Sequence, residues 1–182
     1  MSAMTDRRDL AIQVTPSVSV SGLLLVPPKA TCLYVLAHGA GAGMRHPFMA
    51  AVAEGLAARQ IATLRYQFPY MERGSRRPDP PRLAHATVRA AVAAARDAAP
   101  RLPLIAGGKS FGARMTSQVK AEAPLPDVVG LAAFTPSMMQ RIDLARLYVR
   151  ARRAMPETMD DTPPLPVPEV YPVMLGELLA DE

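Results

Sequence analysis

Two short runs constrain the fold more tightly than anything else in the chain. CLYVLA at 32–37 is continuously apolar, and so is LPLIA at 102–106. A half-buried strand alternates apolar and polar residues, whereas a strand without alternation is covered on both faces. Each run ends at glycines and leads into a segment with helical spacing. HPFMAAVAEGLAARQ (46–60) follows the first, with Pro47 near its first turn, and FGARMTSQVKAEA (111–123) follows the second. Strands that alternate with helices are joined by crossovers and form a parallel sheet. The expected fold class is therefore α/β, a mostly parallel sheet with helices on both faces.

The remaining segments fit that plan. VSVSGLLLVP (18–27) is β-branched and bounded by turns, and reads as a strand. IATLRYQFP (61–69) is the next strand after the first helix. A polar loop, YMERGSRRPDPPR (70–82), leads to an alanine-rich helix over Leu83–Ala98, and DVVGLAAF (127–134) is a last strand. Residues 1–17 are expected to form an antiparallel edge strand, 18–135 the core, and 136–182 a separate C-terminal segment. With 182 residues the chain makes one domain. Tryptophan is absent and alanine abundant, so the helices should pack closely.

Between the second buried strand and its helix lies GGKSFGAR, Gly107 to Arg114. Its Gly-Lys-Ser resembles the end of a phosphate-binding loop. That loop requires G-x-x-x-x-G-K-[ST], and Pro103 stands where its first glycine belongs. The strand also runs almost directly into Gly108, leaving no slack for a phosphate cradle. Gly108-Lys109-Ser110-Phe111-Gly112 instead fits G-x-S-x-G, the sharp strand-to-helix turn that presents a nucleophilic serine. Such a serine needs donors for the oxyanion. One is the backbone N–H of Phe111. The second belongs in a loop after an earlier parallel strand, where HGAGAG (38–43) places Gly39 and Ala40. The alternative for this loop is a plain glycine-rich turn or an anion site at a helix N-terminus.

Taken together, the stretch from LAHGAGAGM through FPYMERG, followed by GGKSFGARM, resembles a small α/β-hydrolase family. This is the dienelactone-hydrolase-like group of predicted hydrolases, related to a subunit of the non-specific-lethal acetyltransferase complex. The resemblance covers roughly residues 18–131. It implies an α/β-hydrolase fold, a Ser–Asp/Glu–His site and hydrolysis of an ester-like or related bond in a small-molecule substrate. Ser110 would be the nucleophile, with Phe111 and the Gly39/Ala40 loop forming the oxyanion hole. No cofactor and no metal are called for.

After about Ala133 the resemblance stops. In this fold the triad runs serine, acid, histidine along the chain. The histidines here are His38, His46 and His85, all ahead of Ser110. None lies where the fold delivers a base: His38 belongs to the oxyanion loop, His46 opens a helix and His85 lies on a helix surface. Lys109 is an alternative base, against which stands the high pKa of a solvated lysine, about 10.4. The tail reads as a basic helix over Ser137–Met155, then a proline-rich linker and a short apolar end. Asp160 and Asp161 stand there in polar context, with no strand to present them. The expectation is a hydrolase plan whose late strands are missing or replaced. The alternative is a non-catalytic binding or interaction protein on a hydrolase scaffold, whose incomplete sheet edge invites a partner chain or self-association.

The net charge of +5 raises nucleic acid as a partner. The arginines are scattered and lack interleaved aromatics, so none is expected. Arg73, Arg76 and Arg77 in the polar loop are candidates for orienting an anionic substrate, against the plainer reading of a solvated loop. Arg65, within a strand, is expected to pair locally or line the site. No apolar run reaches the roughly 20 residues of a membrane span. The N-terminal MSAMTDRRDLAIQV has no apolar core of a secretory signal. The single Cys32 suits a reducing compartment as an inert core thiol, and a cytoplasmic location is expected.

Overall fold

A computed structural model describes residues 4–134. Six strands form one sheet: β1 (Asp6–Thr15), β2 (Val18–Val26), β3 (Cys32–Ala37), β4 (Ile61–Tyr66), β5 (Leu104–Lys109) and β6 (Val128–Phe134). The helices among the described residues are α1 (Pro47–Ala57), α2 (Pro69–Glu72), α3 (Pro81–Ala98) and α4 (Phe111–Glu122). The strands lie in the order β1-β2-β4-β3-β5-β6. β1 pairs antiparallel with β2, and β2 antiparallel with β4. From β4 through β3 and β5 to β6 the sheet is parallel.

All six residues of β3 are buried, because β4 and β5 flank it and helices cover both its faces. Leu33, Val35 and Ala37 join the core beneath α3 and α4. Cys32, Tyr34 and Leu36 join the smaller core beneath α1, with Met49, Val52 and Leu56. Each fully buried leucine contributes about 1.5–3 kcal/mol of transfer free energy. Ala84, Ala91 and Ala95 share the buried stripe of α3 with Thr87, Val88 and Val92, and the small alanine side chains let that helix lie close on the sheet. Burial pushes the Cys32 thiol up to about 11, so it stays protonated and unreactive at neutral pH.

Prolines start three helices. Pro47, Pro69 and Pro81 each occupy the first turn, where a missing N–H costs nothing and the fixed φ is already helical. At α1 the cap is His46, whose Nδ1 accepts the Phe48 N–H at 3.1 Å. The short α2 stands where the sequence suggested only strand and polar loop. β4 ends at Tyr66 rather than continuing to Pro69, because Pro69 is the opening residue of this helical turn. The loop is also not wholly solvated. Asp79 within it is 5% exposed.

The basic helix expected over 137–155, the proline-rich segment, Asp160, Asp161 and the expected loss of late strands all fall outside the described residues. No described helix is long and apolar enough to cross a membrane.

Candidate active site

β5 ends at Lys109 and α4 begins at Phe111, so a single residue, Ser110, turns the chain from strand into helix. Its backbone takes φ 47° and ψ −114°. Residues with a Cβ avoid this region, at a cost of about 1–3 kcal/mol. Two glycines permit the turn. A Cβ on Gly108 would fall on the Ala37 backbone, 2.8 Å from its carbonyl carbon. A Cβ on Gly112 would lie 2.5 Å from both the Ala37 Cβ and the His38 carbonyl oxygen. The elbow is thus pressed against the end of β3. Ser110 itself is exposed. It stands at the C-terminal edge of the parallel strands, where open α/β sheets bind ligands. The Phe111 N–H, first in α4, has no acceptor one turn earlier, and the helix N-terminus favours negative charge there.

The loop after β3 runs beside this turn. A Cβ on Gly39 would sit 3.4 Å from the Lys109 carbonyl oxygen, in contact with the peptide that leads into Ser110. His38, fully buried, anchors the loop. Its Nε2 accepts the Phe68 N–H at 3.1 Å, so that nitrogen is unprotonated. Its Nδ1 therefore carries the proton and donates it to the Gly39 carbonyl at 2.8 Å. Burial lowers the His38 pKa from the ordinary 6.5, and the Gly39 carbonyl opposes that in part. Around the ring an aromatic cluster ties the loop to the elbow. Phe68 packs edge-on to His38 and to Phe111, both at 5.1 Å, and Tyr70 packs on Phe111 at 6.2 Å. Pairs of this kind contribute about 0.5–1.5 kcal/mol each beyond area burial.

A depressed histidine pKa makes the unfolded chain bind the proton more readily than the folded one. Stability from His38 is therefore present above the ordinary pKa of 6.5 and is lost as pH falls below it. Urea unfolding should show lower stability at pH 5.5 than at 7.5. In His38→Gln, which removes the titrating ring, this loss should shrink. An equal pH dependence in the two proteins would contradict the assignment.

The other histidines have partners of their own. His46 caps α1. His85 on α3 meets α4 far along its length, with Nδ1 3.0 Å from Glu122 and Nε2 3.1 Å from Gln118. At 1.5 Å per residue, Gln118 lies about 12 Å along the helix from Ser110. His85 is accordingly half-buried between two helices rather than on an open surface. Lys109 turns to the α1 face, its Nζ 4.9 Å from the Phe48 ring centre.

In the polar loop Arg73 donates to Asp79 at 2.8 Å, while Arg76 and Arg77 are exposed. Asp79 also accepts the Tyr70 N–H at 2.8 Å, which fixes the start of α2. Asp79 and Gln67 are the residues here that sequence reasoning passed over. The only hint of Asp79 was a carboxylate held between prolines in RPDPP. Among the described residues no three His, Cys, Asp or Glu side chains gather as metal ligands.

A mostly parallel sheet in this order, with a serine on a positive-φ turn between a buried strand and a helix, defines an α/β-hydrolase fold. The profile of the alpha/beta hydrolase domain family matches residues 30–139, and the chain belongs to that family. Solved structures are similar at low identity. A dienelactone hydrolase from Anabaena variabilis is 20% identical with a TM-score of 0.63, over 81% of this chain and 68% of that one. A cold-adapted esterase from an Arctic intertidal metagenomic library is 22% identical with a TM-score of 0.54, over 71% and 60%. An α/β serine hydrolase homologue from Coxiella burnetii is 19% identical with a TM-score of 0.58, over 72% and 63%. At these identities the likeness establishes the fold, and this chain spans only 60–68% of those proteins' lengths. No curated protein matches the sequence.

Proposed function

We propose that this chain carries a serine-hydrolase site in which Ser110 attacks an ester-like carbonyl of a small molecule. The observation that carries this reading is the backbone of Ser110, held at φ 47° and exposed between β5 and α4. Strain of this size persists at a turn when the surroundings enforce it, and such turns cluster at reactive residues. The names of two similar structures, a dienelactone hydrolase and an esterase, favour an ester or lactone bond.

In the proposed reaction the Ser110 Oγ adds to the carbonyl carbon and its proton passes to a base. The carbonyl oxygen becomes an oxyanion and accepts hydrogen bonds from the Phe111 N–H and from Gly39 or Ala40. Collapse expels the alcohol and leaves an acyl-Ser110, which water then hydrolyses. Arg76 and Arg77 are candidates for holding an anionic part of the substrate. Arg73 serves less well because Asp79 already engages it. The setting proposed is cytoplasmic, in keeping with one buried free thiol.

The base is the weak link. Both ring nitrogens of His38 are committed, both of His85 meet α4, and the His46 Nδ1 caps α1. These observations favour a second reading, a binding or interaction protein on the same scaffold. Its partner, or a second copy, would be sought beside β6, where Leu131 is 40% exposed.

Incubation with p-nitrophenyl acetate and mass analysis of the peptide containing Ser110 separates the two readings. The enzyme reading expects an acetyl group on Ser110, absent in Ser110→Ala. No acetylation of folded protein would support the second reading.

A further inference from the structure

The loop proposed to stabilise the oxyanion is glycine-rich: Gly39, Gly41 and Gly43 lie within five residues. Such a segment has high conformational entropy, and a catalytic donor must be held within a fraction of an ångström. Something must fix it. Nearly every polar contact that reaches this loop comes from one short segment, Arg65 to Tyr70, where β4 ends and α2 begins. The Met44 peptide is gripped at both ends. Its N–H donates to the Gln67 Oε1 at 2.9 Å, and its carbonyl accepts from the Arg65 Nη1 at 3.2 Å. The Phe68 N–H donates to His38 Nε2. The Tyr70 hydroxyl is buried beside this loop without a hydrogen-bond partner among the described residues, so its contribution here is packing rather than a polar contact. The Gln67 side chain also fills the space beside Gly43, where a Cβ would lie 2.9 Å from its Oε1.

The clamp is itself rigidly mounted. The Gln67 N–H bonds the Ser21 carbonyl on β2 at 2.9 Å. Glu72 on α2 accepts the Ser21 N–H, and Asp79 accepts the Tyr70 N–H. Strand, helical turn and buried carboxylate thus hold the segment from three sides.

We infer that the Arg65–Tyr70 segment is a template that positions the Gly39–Met44 loop, with Gln67 as its central positioning residue. The inference rests on the reading of Gly39 and Ala40 as oxyanion donors for its catalytic consequence. Its structural content stands apart from that reading. Gln67 touches no reacting atom in this scheme. It acts through Met44 and the loop.

The test compares wild type, Gln67→Leu and Gln67→Glu. Leucine keeps the size and removes the acceptor, whereas glutamate keeps an oxygen for the Met44 N–H. Two quantities are read: amide hydrogen exchange in peptides spanning 38–46, and the rate of Ser110 modification by an alkyl fluorophosphonate. In Gln67→Leu, exchange in that loop should rise about 10-fold with the rest of the protein unchanged. The modification rate should fall about 10-fold as the donors lose their placement. Gln67→Glu, which keeps the acceptor, should recover both. Unchanged loop exchange in Gln67→Leu overturns the template. Raised exchange with an unaltered modification rate upholds the template and overturns the oxyanion role on which its catalytic consequence rests. The exchange measurement decides the template even if Ser110 is unreactive.

Discussion

Gly108→Ala is expected to leave the protein unfolded at room temperature. Gly108 takes φ 152°, and a Cβ there would overlap the Ala37 carbonyl of the neighbouring strand. Ala37 and Gly108 are register partners in the parallel β3–β5 ladder. Neither backbone can retreat without breaking the pairing that mounts Ser110. Overpacking alone costs about 1–3 kcal/mol, and the strained backbone adds to it. A loss above about 4 kcal/mol consumes most of the stability of a domain near the lower end of the ordinary 5–15 kcal/mol range, where a chain with an exposed sheet edge is expected to sit. Gly130→Ala is the control, since its Cβ would meet nothing within 4 Å. It should be neutral or slightly stabilising, by up to about 1 kcal/mol. Circular dichroism and urea unfolding read both variants. A Gly108→Ala protein within about 1 kcal/mol of wild type would show that the elbow is looser than described.

Imidazole is expected to raise the esterase rate of this protein. A serine hydroxyl without a base beside it is a weak nucleophile. A general base contributes about 10²–10⁴-fold. A mobile imidazole entering beside the exposed Ser110 should recover part of that, about 10-fold at tens of millimolar. The gain is measured with p-nitrophenyl acetate after subtracting imidazole's own reaction with the ester. It should vanish in Ser110→Ala and persist in His46→Ala and His85→Ala, because those rings serve helix ends and helix packing. If imidazole gives no gain over a fast, Ser110-dependent rate, the protein already has a base.

Much of this was legible in the sequence, for identifiable reasons. Buried parallel strands declare themselves through unbroken apolar runs, and the burial of Cys32 through Ala37 follows that rule residue by residue. The turn at Ser110 was legible because only small residues fit around it, so Gly108 and Gly112 mark it in sequence. The support of the glycine-rich loop after β3 was hidden. Gln67, Phe68, Tyr70 and Asp79 act through contacts 9 to 30 residues distant, and no local pattern reports such reach. α2 was missed because a four-residue helix has no periodicity to read. His85 was expected on a surface because its partners, Gln118 and Glu122, lie on a helix 33 and more residues later.

The central claim is that Ser110 is mounted to react. Its most direct test is exposure of the folded protein to a fluorophosphonate, followed by peptide mass analysis, with urea-unfolded protein and Ser110→Ala as controls. A single adduct on Ser110 is expected in folded protein, formed at a measurable rate and absent from both controls. Folded protein that stays unmodified, or that reacts no faster than the unfolded chain, would contradict it.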